Sequence, residues 1–242
     1  MTTKSVLLML AAMTVSTLSA QDAKQIADSL TVPTTLTAGQ SLPIPTVDGA
    51  QVEFLGADYE QIIASNGQVQ SVLSDTPVKV NFRVTKDGKE AFSRDYEVLV
   101  KSGDAAIVSG NAKPQTIPSM LQWQGGKGDF RLGSTVKLYS DAAPELRDLI
   151  AADLKAVCGC EVQIVSDSTQ ADIVLSKTKG CQGEENSEAY RMTVSAKKVT
   201  ISSTAAKGLM WGSRTLLQIL KQSGGTVPCG EAYDVPRYRV RG

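Results

Sequence analysis

The side chains able to do chemistry in this chain are carboxylates, lysines and four cysteines, because it contains no histidine. That removes a Ser-His-Asp triad, a Cys-His pair and every histidine-ligated metal site. The adjacent acidic pair Glu184-Glu185 lies in "KGCQGEENSE", where Gly, Asn and Ser mark a solvated turn rather than a catalytic cleft. "QGGKGD" (124–129) is glycine-rich and carries a lysine. It lacks the G-x-x-x-x-G-K-[ST] spacing that cradles phosphate and reads as a loop. Of the two indoles that could stack on a sugar, Trp211 sits beside the apolar stripe of a helix and reads as core. Trp123 borders the glycine loop, and its position decides neither role. The pair Lys197-Lys198 reads as a solvated hairpin tip. No catalytic residue, metal site or cofactor is assigned within the chain.

Cys158, Cys160, Cys181 and Cys229 are an even set. Two disulfides with three connectivities, or free thiols buried as small apolar groups, both fit this spacing. A direct Cys158–Cys160 bridge closes too tight a ring. Zinc is disfavoured because C-x-C…C…C has no pair of C-x-x-C hooks. The compartment bears on this choice. Lys4, the apolar run "VLLMLAAMTV" (6–15) and the small residues ending at Ala20 read as a cleaved secretory signal over residues 1–20. The run is too short to span a bilayer. A periplasmic or secreted protein is therefore expected, with no membrane span.

Lysine plus arginine and aspartate plus glutamate both number 25, so the formal charge is zero. That argues against nucleic acid, whose binders carry a basic excess. Aromatics are only 5% of residues, which leaves any core to Val, Leu, Ile and Ala.

The elements that would position these groups fall into two textures. Residues 28–101 read as about seven short strands. In "VKVNFRV", Val78, Val80, Phe82 and Val84 alternate with Lys79, Asn81 and Arg83, the pattern of a strand with one buried face. "EQIIAS" and "GQVQSVL" read as further strands, and "KDGK" as a tight turn. Together they predict a small β-sandwich. Residues 102–116, with Gly, Ser, Asn and Pro, read as a linker.

From Ile117 to Pro236 the chain reads as two helices on a sheet. "STVKLYS", "EVQIVS" and "DIVLSK" are strands, and "EAYRMTVSAKKVTISS" is a hairpin. The first helix runs through "PELRDLIAADLKAVC", with Ser140 or Asp141 as cap and Gly159 as stop. Its stripe is Leu146, Leu149, Ile150, Leu154 and Val157. The second helix buries Leu209, Leu216, Leu217 and Leu220, and Gly212 marks close packing on the sheet. The expected class is α+β: a β-sandwich followed by a two-layer α/β sandwich.

Two resemblances follow from these residues. "VEFLGADYEQIIASNGQV" with its following hairpin is similar to the atrophied immunoglobulin-like domains of exported bacterial proteins, modules that serve as spacers or docking units. It lacks the Cys…Trp…Cys signature of true immunoglobulin domains. "IPSMLQWQGGKGDF", "EAYRMTVSAKKVTISSTAAKGLMWGSRTLLQIL" and "VPCGEAYDVPRYRVRG" resemble the non-catalytic N-terminal domain of family 20 glycoside hydrolases, the β-N-acetylhexosaminidases. That family writes "I-P-x-P…G-x-F", "x-G-x-x-T-L-x-Q-L" and "P-R-F-x-x-R-G". Here Gln122–Gly126 interrupts the pattern. The likeness covers about half the chain, and its last block is the most specific.

In the family that block leads into the first strand of a (β/α)₈ barrel, so residues 237–242 are expected to begin a catalytic barrel that this chain lacks. Arg241 falls on the arginine that hydrogen-bonds hydroxyls of the terminal N-acetylhexosamine. The family's Asp-Glu pair, with the substrate's own acetamido group as nucleophile, belongs to the barrel. The implied partner is a glycan ending in N-acetylhexosamine, and the chain alone is expected to be inactive. The rival reading is a short exported protein in which the two domains form a carbohydrate-binding or scaffold module. A periplasmic small-ligand receptor would need a larger α/β framework.

Overall fold

The computed structural model describes residues 22–102, 110–178 and 186–236. The signal segment, Cys181, Glu184-Glu185 and Arg241 lie outside them. Among the described residues no helix is long and apolar enough to cross a membrane.

The N-terminal unit opens with helix α1 (Ala23–Asp28), started by a capping box in which the Asp22 side chain accepts from Gln25 N. Strands β1 (Thr35–Thr37), β2 (Gln51–Ala57), β3 (Thr76–Lys86), β4 (Lys89–Phe92) and β5 (Tyr96–Lys101) follow. They form one curled sheet in the order β1-β5-β3-β2, with β4 also paired to β3. The expected alternation is present in β3, where Val78, Val80, Phe82 and Val84 are fully buried. They face α1, whose Ala27 carbonyl accepts from the buried Tyr96 hydroxyl at 2.8 Å. The "KDGK" turn is there, with Asp87 and Gly88 both at positive φ, the geometry of a type I′ hairpin.

The two-sheet sandwich of seven strands is corrected to one five-stranded sheet. "EQIIAS" and "GQVQSVL" are not strands. Ile62 and Ile63 are consecutive and both fully buried, which a strand with side chains alternating between its faces does not allow. They sit in a turn held by Ile62 N to Tyr59 O, and the two segments meet in the isolated bridge Ile63–Val69.

The second unit holds β6 (Gln122–Arg131), β7 (Thr135–Ser140), α2 (Pro144–Cys158), β8 (Glu161–Ile164), β9 (Ile173–Lys177), β10 (Tyr190–Val194), β11 (Val199–Ser203), α3 (Ala206–Ser223) and β12 (Thr226–Asp234). Its seven-stranded mixed sheet runs β6-β12-β10-β11-β9-β7-β8. The β10/β11 hairpin has the expected facing pairs, Met192 with Ile201 and Val194 with Val199. Helix α3 buries Leu209, Leu216, Leu217 and Leu220 as read from sequence. A Cβ on Gly212 would lie 2.5 Å from Ile201 Cγ2 and 3.0 Å from Tyr190 Cδ2, so the glycine is what lets helix and sheet approach. Both helices end on a left-handed glycine, Gly159 and Gly224.

Three further expectations are corrected. The cap of α2 is Ala143, with no side-chain bond. Asp141 is committed elsewhere, accepting from Lys177 N at 2.7 Å and Ser176 Oγ at 3.0 Å, while Ser140 Oγ takes Ala142 N. Proline at the first turn lowers the need for a cap by removing one amide donor. The α2 stripe is narrower than read: Ile150 and Leu154 are buried, but Leu149 and Val157 are exposed because this helix covers the β8 edge of the sheet. Lastly, "QGGKGD" is strand, not loop. It belongs to β6, antiparallel to β12, with Gly125 opposite Gly230. Gly125 and Gly126 serve close approach to neighbouring backbone, whereas Gly128 takes a left-handed φ of 83° with open space beside it. A Cβ on Gly125 would lie 2.0 Å from Asn111 O, and one on Gly230 would lie 2.5 Å from the Trp123 ring.

Candidate functional site: the exit of strand β12

Among the described residues Cys229 lies far from Cys158 and Cys160. Cys158 closes α2, Cys160 precedes β8, and Cys229 lies in β12; all three carry free thiols. Cys229 is five strand positions from β8, roughly 24 Å at a spacing of about 4.8 Å. A disulfide needs Cα atoms within about 7 Å. Burial pushes all three thiols above their ordinary range, aided at Cys158 by the neighbouring Cys160. Among the described residues no group of three or more His, Cys, Asp or Glu side chains could hold a metal ion.

Trp123 is buried at 8% exposure, and its indole nitrogen donates to Asn111 O at 3.0 Å. It is part of the core, fixed beneath the segment that enters the second unit. Trp211 is 37% exposed on α3, so its reading as core is corrected: it lies off the stripe set by Leu209, Leu216 and Leu220. Lys198 is pinned, its ammonium donating to Ser168 O at 2.7 Å, while Lys197 is exposed at the hairpin tip.

The carboxyls of Asp28, Asp75 and Asp167 are held below their ordinary range by hydrogen bonds, chiefly from Lys24, Lys101 and Thr169.

What the fold does build is a clamped exit for the chain after β12. Tyr233 and Val235 are buried, at 2% and 4% exposure, in a cluster with Ala189. Tyr59, Leu73 and Leu121 pack over them. The Asp234 carboxylate accepts from Leu121 N at 3.0 Å, tying the end of β12 to the start of β6. Asp234 also opposes the lowering of the Lys113 pKa by desolvation. Residues 110–117, read as mostly linker, are docked on this unit. Asn111 N bonds Gly126 O at 2.8 Å, and Asn111 Nδ2 bonds Gly128 O at 2.7 Å and Cys229 O at 3.1 Å. The Gln218 side chain grips Ile117 through both its N–H and its carbonyl. Beside this segment runs an open groove of about 400 Å³, lined by Lys113, Gln115, Thr116, Ile117, Ser119 and Gln222. It offers amides, hydroxyls and one ammonium, with no carboxylate to protonate a leaving group.

Sequence reasoning found the residues of this exit through the "AYDVP" block but missed the strand pair that carries it. The signal was there in Gly125, Gly126 and Gly230, which allow close approach where the two antiparallel strands pair.

Comparison with known proteins agrees with this architecture. Residues 113–235, about half of the chain, match glycosyl hydrolase family 20, domain 2. A lacto-N-biosidase from Bifidobacterium bifidum is 27% identical over 132 residues, 54% of this chain and 12% of that protein. Among solved structures, the N-acetyl-β-hexosaminidase of Streptomyces plicatus is 25% identical, with a TM-score of 0.47 over 55% of this chain and 28% of that one. The exo-β-N-acetylglucosaminidase of Vibrio harveyi is 18% identical, with a TM-score of 0.45 over 67% of this chain and 26% of that one. The chain thus spans about an eighth of the curated relative and about a quarter of these solved enzymes. Its seven-stranded sheet ends in a strand, β12, that is clamped at its exit by Tyr233, Asp234 and Val235. By the match over residues 113–235, it belongs to glycosyl hydrolase family 20, whose domain 2 it carries.

Proposed function

We propose that this chain is the leading part of an exported β-N-acetylhexosaminidase and that its second domain buttresses a catalytic (β/α)₈ barrel following residue 236. The observation that carries the reading is the family match ending at residue 235, where the chain leaves β12 through the clamp at Tyr233–Val235. Residues 1–20 direct export to the periplasm or beyond, residues 28–101 form the curled-sheet unit that precedes domain 2, and residues 237–242 open the first barrel strand. The substrate is a glycan ending in N-acetylhexosamine. Arg241 binds its hydroxyls, a task for which a planar guanidinium with five donors is suited. The family's Asp-Glu pair comes from the barrel: as the sugar's acetamido oxygen attacks the anomeric carbon, the glycosidic C–O bond breaks and the glutamic acid gives its proton to the leaving oxygen.

The test is hydrolysis of an aryl N-acetylglucosaminide by the purified 242-residue chain and by the native gene product, whose intact mass is measured alongside. The native product is expected to be heavier than this chain and active, the isolated chain inactive. In the active protein Arg241→Lys should lower kcat/KM by about 10- to 100-fold, the worth of one or two hydrogen bonds from a charged donor. Hydrolysis by the isolated chain, or an inactive native product of this mass, overturns the reading.

A further inference from the structure

We infer that residues 22–102 are a brace on the β6/β12 strand pair, seated on a docking surface made by Leu121–Trp123 and Tyr233–Val235. The occupant of that surface is the Tyr59–Ser74 segment of the same chain. A spacer would touch the next domain through its linker and little else. This unit touches it through a polar contact and an apolar one, and the residues that make the polar contact are 49 positions apart in sequence.

The polar contact is Gln122, fully buried at the start of β6. Its amide oxygen accepts from Leu73 N at 2.9 Å, and its Nε2 has no partner. Leu73 N is thus the only hydrogen-bond partner this buried amide has among the described residues. Loss of the Leu73 amide would take from Gln122 the one side-chain hydrogen bond it makes among the described residues, a costly state for a buried amide. One residue on, Trp123 N donates to Ser74 Oγ in a longer contact of 3.4 Å. The apolar contact is Tyr59, Leu73 and Leu121 over Ala189, Tyr233 and Val235.

The loop that reaches across is itself fixed. Ser74 O accepts from Thr76 Oγ1 at 2.7 Å. Asp75 accepts from Lys101 Nζ at 2.6 Å and Ser102 N at 3.0 Å, at the end of β5. The end of β5, the 72–75 loop, the start of β6 and the end of β12 are therefore one connected knot. The direction of the chain beyond Val235 is set by both units together. The inference stands on the contacts alone and does not depend on the catalytic reading.

Amide hydrogen exchange on the full chain tests it, with Leu73→Ala and Gln122→Met. Leu73→Ala should raise exchange at Leu121–Trp123 and Ala232–Val235 by about tenfold or more, with β7 and β8 unchanged. Should this variant unfold residues 22–102, the brace still requires that those two stretches lose protection with it. Gln122→Met keeps the volume and removes the acceptor, and should raise exchange of the Leu73 amide. Faster exchange confined to residues 22–102 in the first variant, or an unaffected Leu73 amide in the second, overturns the brace and restores the spacer.

Discussion

Gln218 and Ile117, 101 residues apart, are joined by a reciprocal pair of hydrogen bonds: Ile117 N donates to Gln218 Oε1 at 2.9 Å, and Gln218 Nε2 donates to Ile117 O at 3.1 Å. A side-chain amide here does what a neighbouring strand would do for a backbone. It explains why the "I-P" and "T-L-x-Q-L" blocks, distant in sequence, belong to one pattern: the helix residue holds the entry segment against α3. Both groups reach solvent, so the loss is modest. Gln218→Leu should cost about 1 kcal/mol, read as a lower urea midpoint with an unchanged slope. Gln218→Glu keeps the acceptor but turns a carboxylate oxygen on the Ile117 carbonyl. It should be worse at neutral pH than in acid, where the protonated side chain can again donate.

Gly208 and Gly212 should both resist replacement by alanine, although alanine inside a helix normally gains about 1 kcal/mol over glycine. At Gly212 the new methyl meets side-chain atoms, Ile201 Cγ2 at 2.5 Å and Tyr190 at 3.0 Å. At Gly208 it meets Ser203 Oγ at 2.1 Å and the Ala189 carbonyl at 2.2 Å. Backbone yields less readily than a side chain, so Gly208→Ala should be the more damaging. Overpacking costs of about 1–3 kcal/mol are expected, larger at Gly208. Chemical denaturation of the two variants gives the order, and a stabilised Gly212→Ala would refute the close approach.

These glycines also show what was legible in the sequence. Gly212 could be read because it interrupts a strong helical period, and Val78, Val80, Phe82 and Val84 because they alternate cleanly. The β6/β12 pair could not, since four glycines and Pro228 carry the signature of turns. The structure uses Gly125 for approach to Asn111 and Gly230 for approach to Trp123, and it places Pro228 beside a register shift, where its missing N–H is tolerated. The seven-strand reading of the first unit failed for a related reason. A short apolar run such as Gln61–Ala64 has no period to read, and tertiary packing made it a turn. Of the candidate site, the block at the end of β12 was legible, but its partners Leu73 and Gln122 were not. A backbone N–H leaves no mark in sequence.

Arg214 and Asp153 tie α3 to α2 at 2.5 Å, with both side chains about 30% exposed. Arg214→Met and Asp153→Asn in a double-mutant cycle should show a coupling of about 1 kcal/mol or less. It should shrink when salt is raised, because the pair is open to screening ions. A coupling of zero at low salt would mean that α2 is held by its apolar contacts, chiefly Ile150 and Leu154, and not by this pair.

The three thiols give a pH dependence whose sign is fixed by burial. Desolvation raises the pKa of Cys158, Cys160 and Cys229 above the ordinary 9.0. In the unfolded chain they ionise near that value, while the folded chain still holds its protons. Above about pH 9 the folded state therefore binds more protons, and stability falls as pH rises toward the folded pKa values. Below pH 9 these groups should contribute no slope. Denaturant midpoints between pH 7 and 10.5 should be flat, then fall. Replacing Cys160 and Cys229 with alanine should lower the plateau through lost packing and flatten the fall. Alkylation gives an independent reading: at pH 7 the native chain should react slowly, first at the half-buried Cys158, and quickly at every thiol once unfolded. Equal fast labelling of Cys160 and Cys229 in the native chain would place them at the surface and remove the basis for the slope.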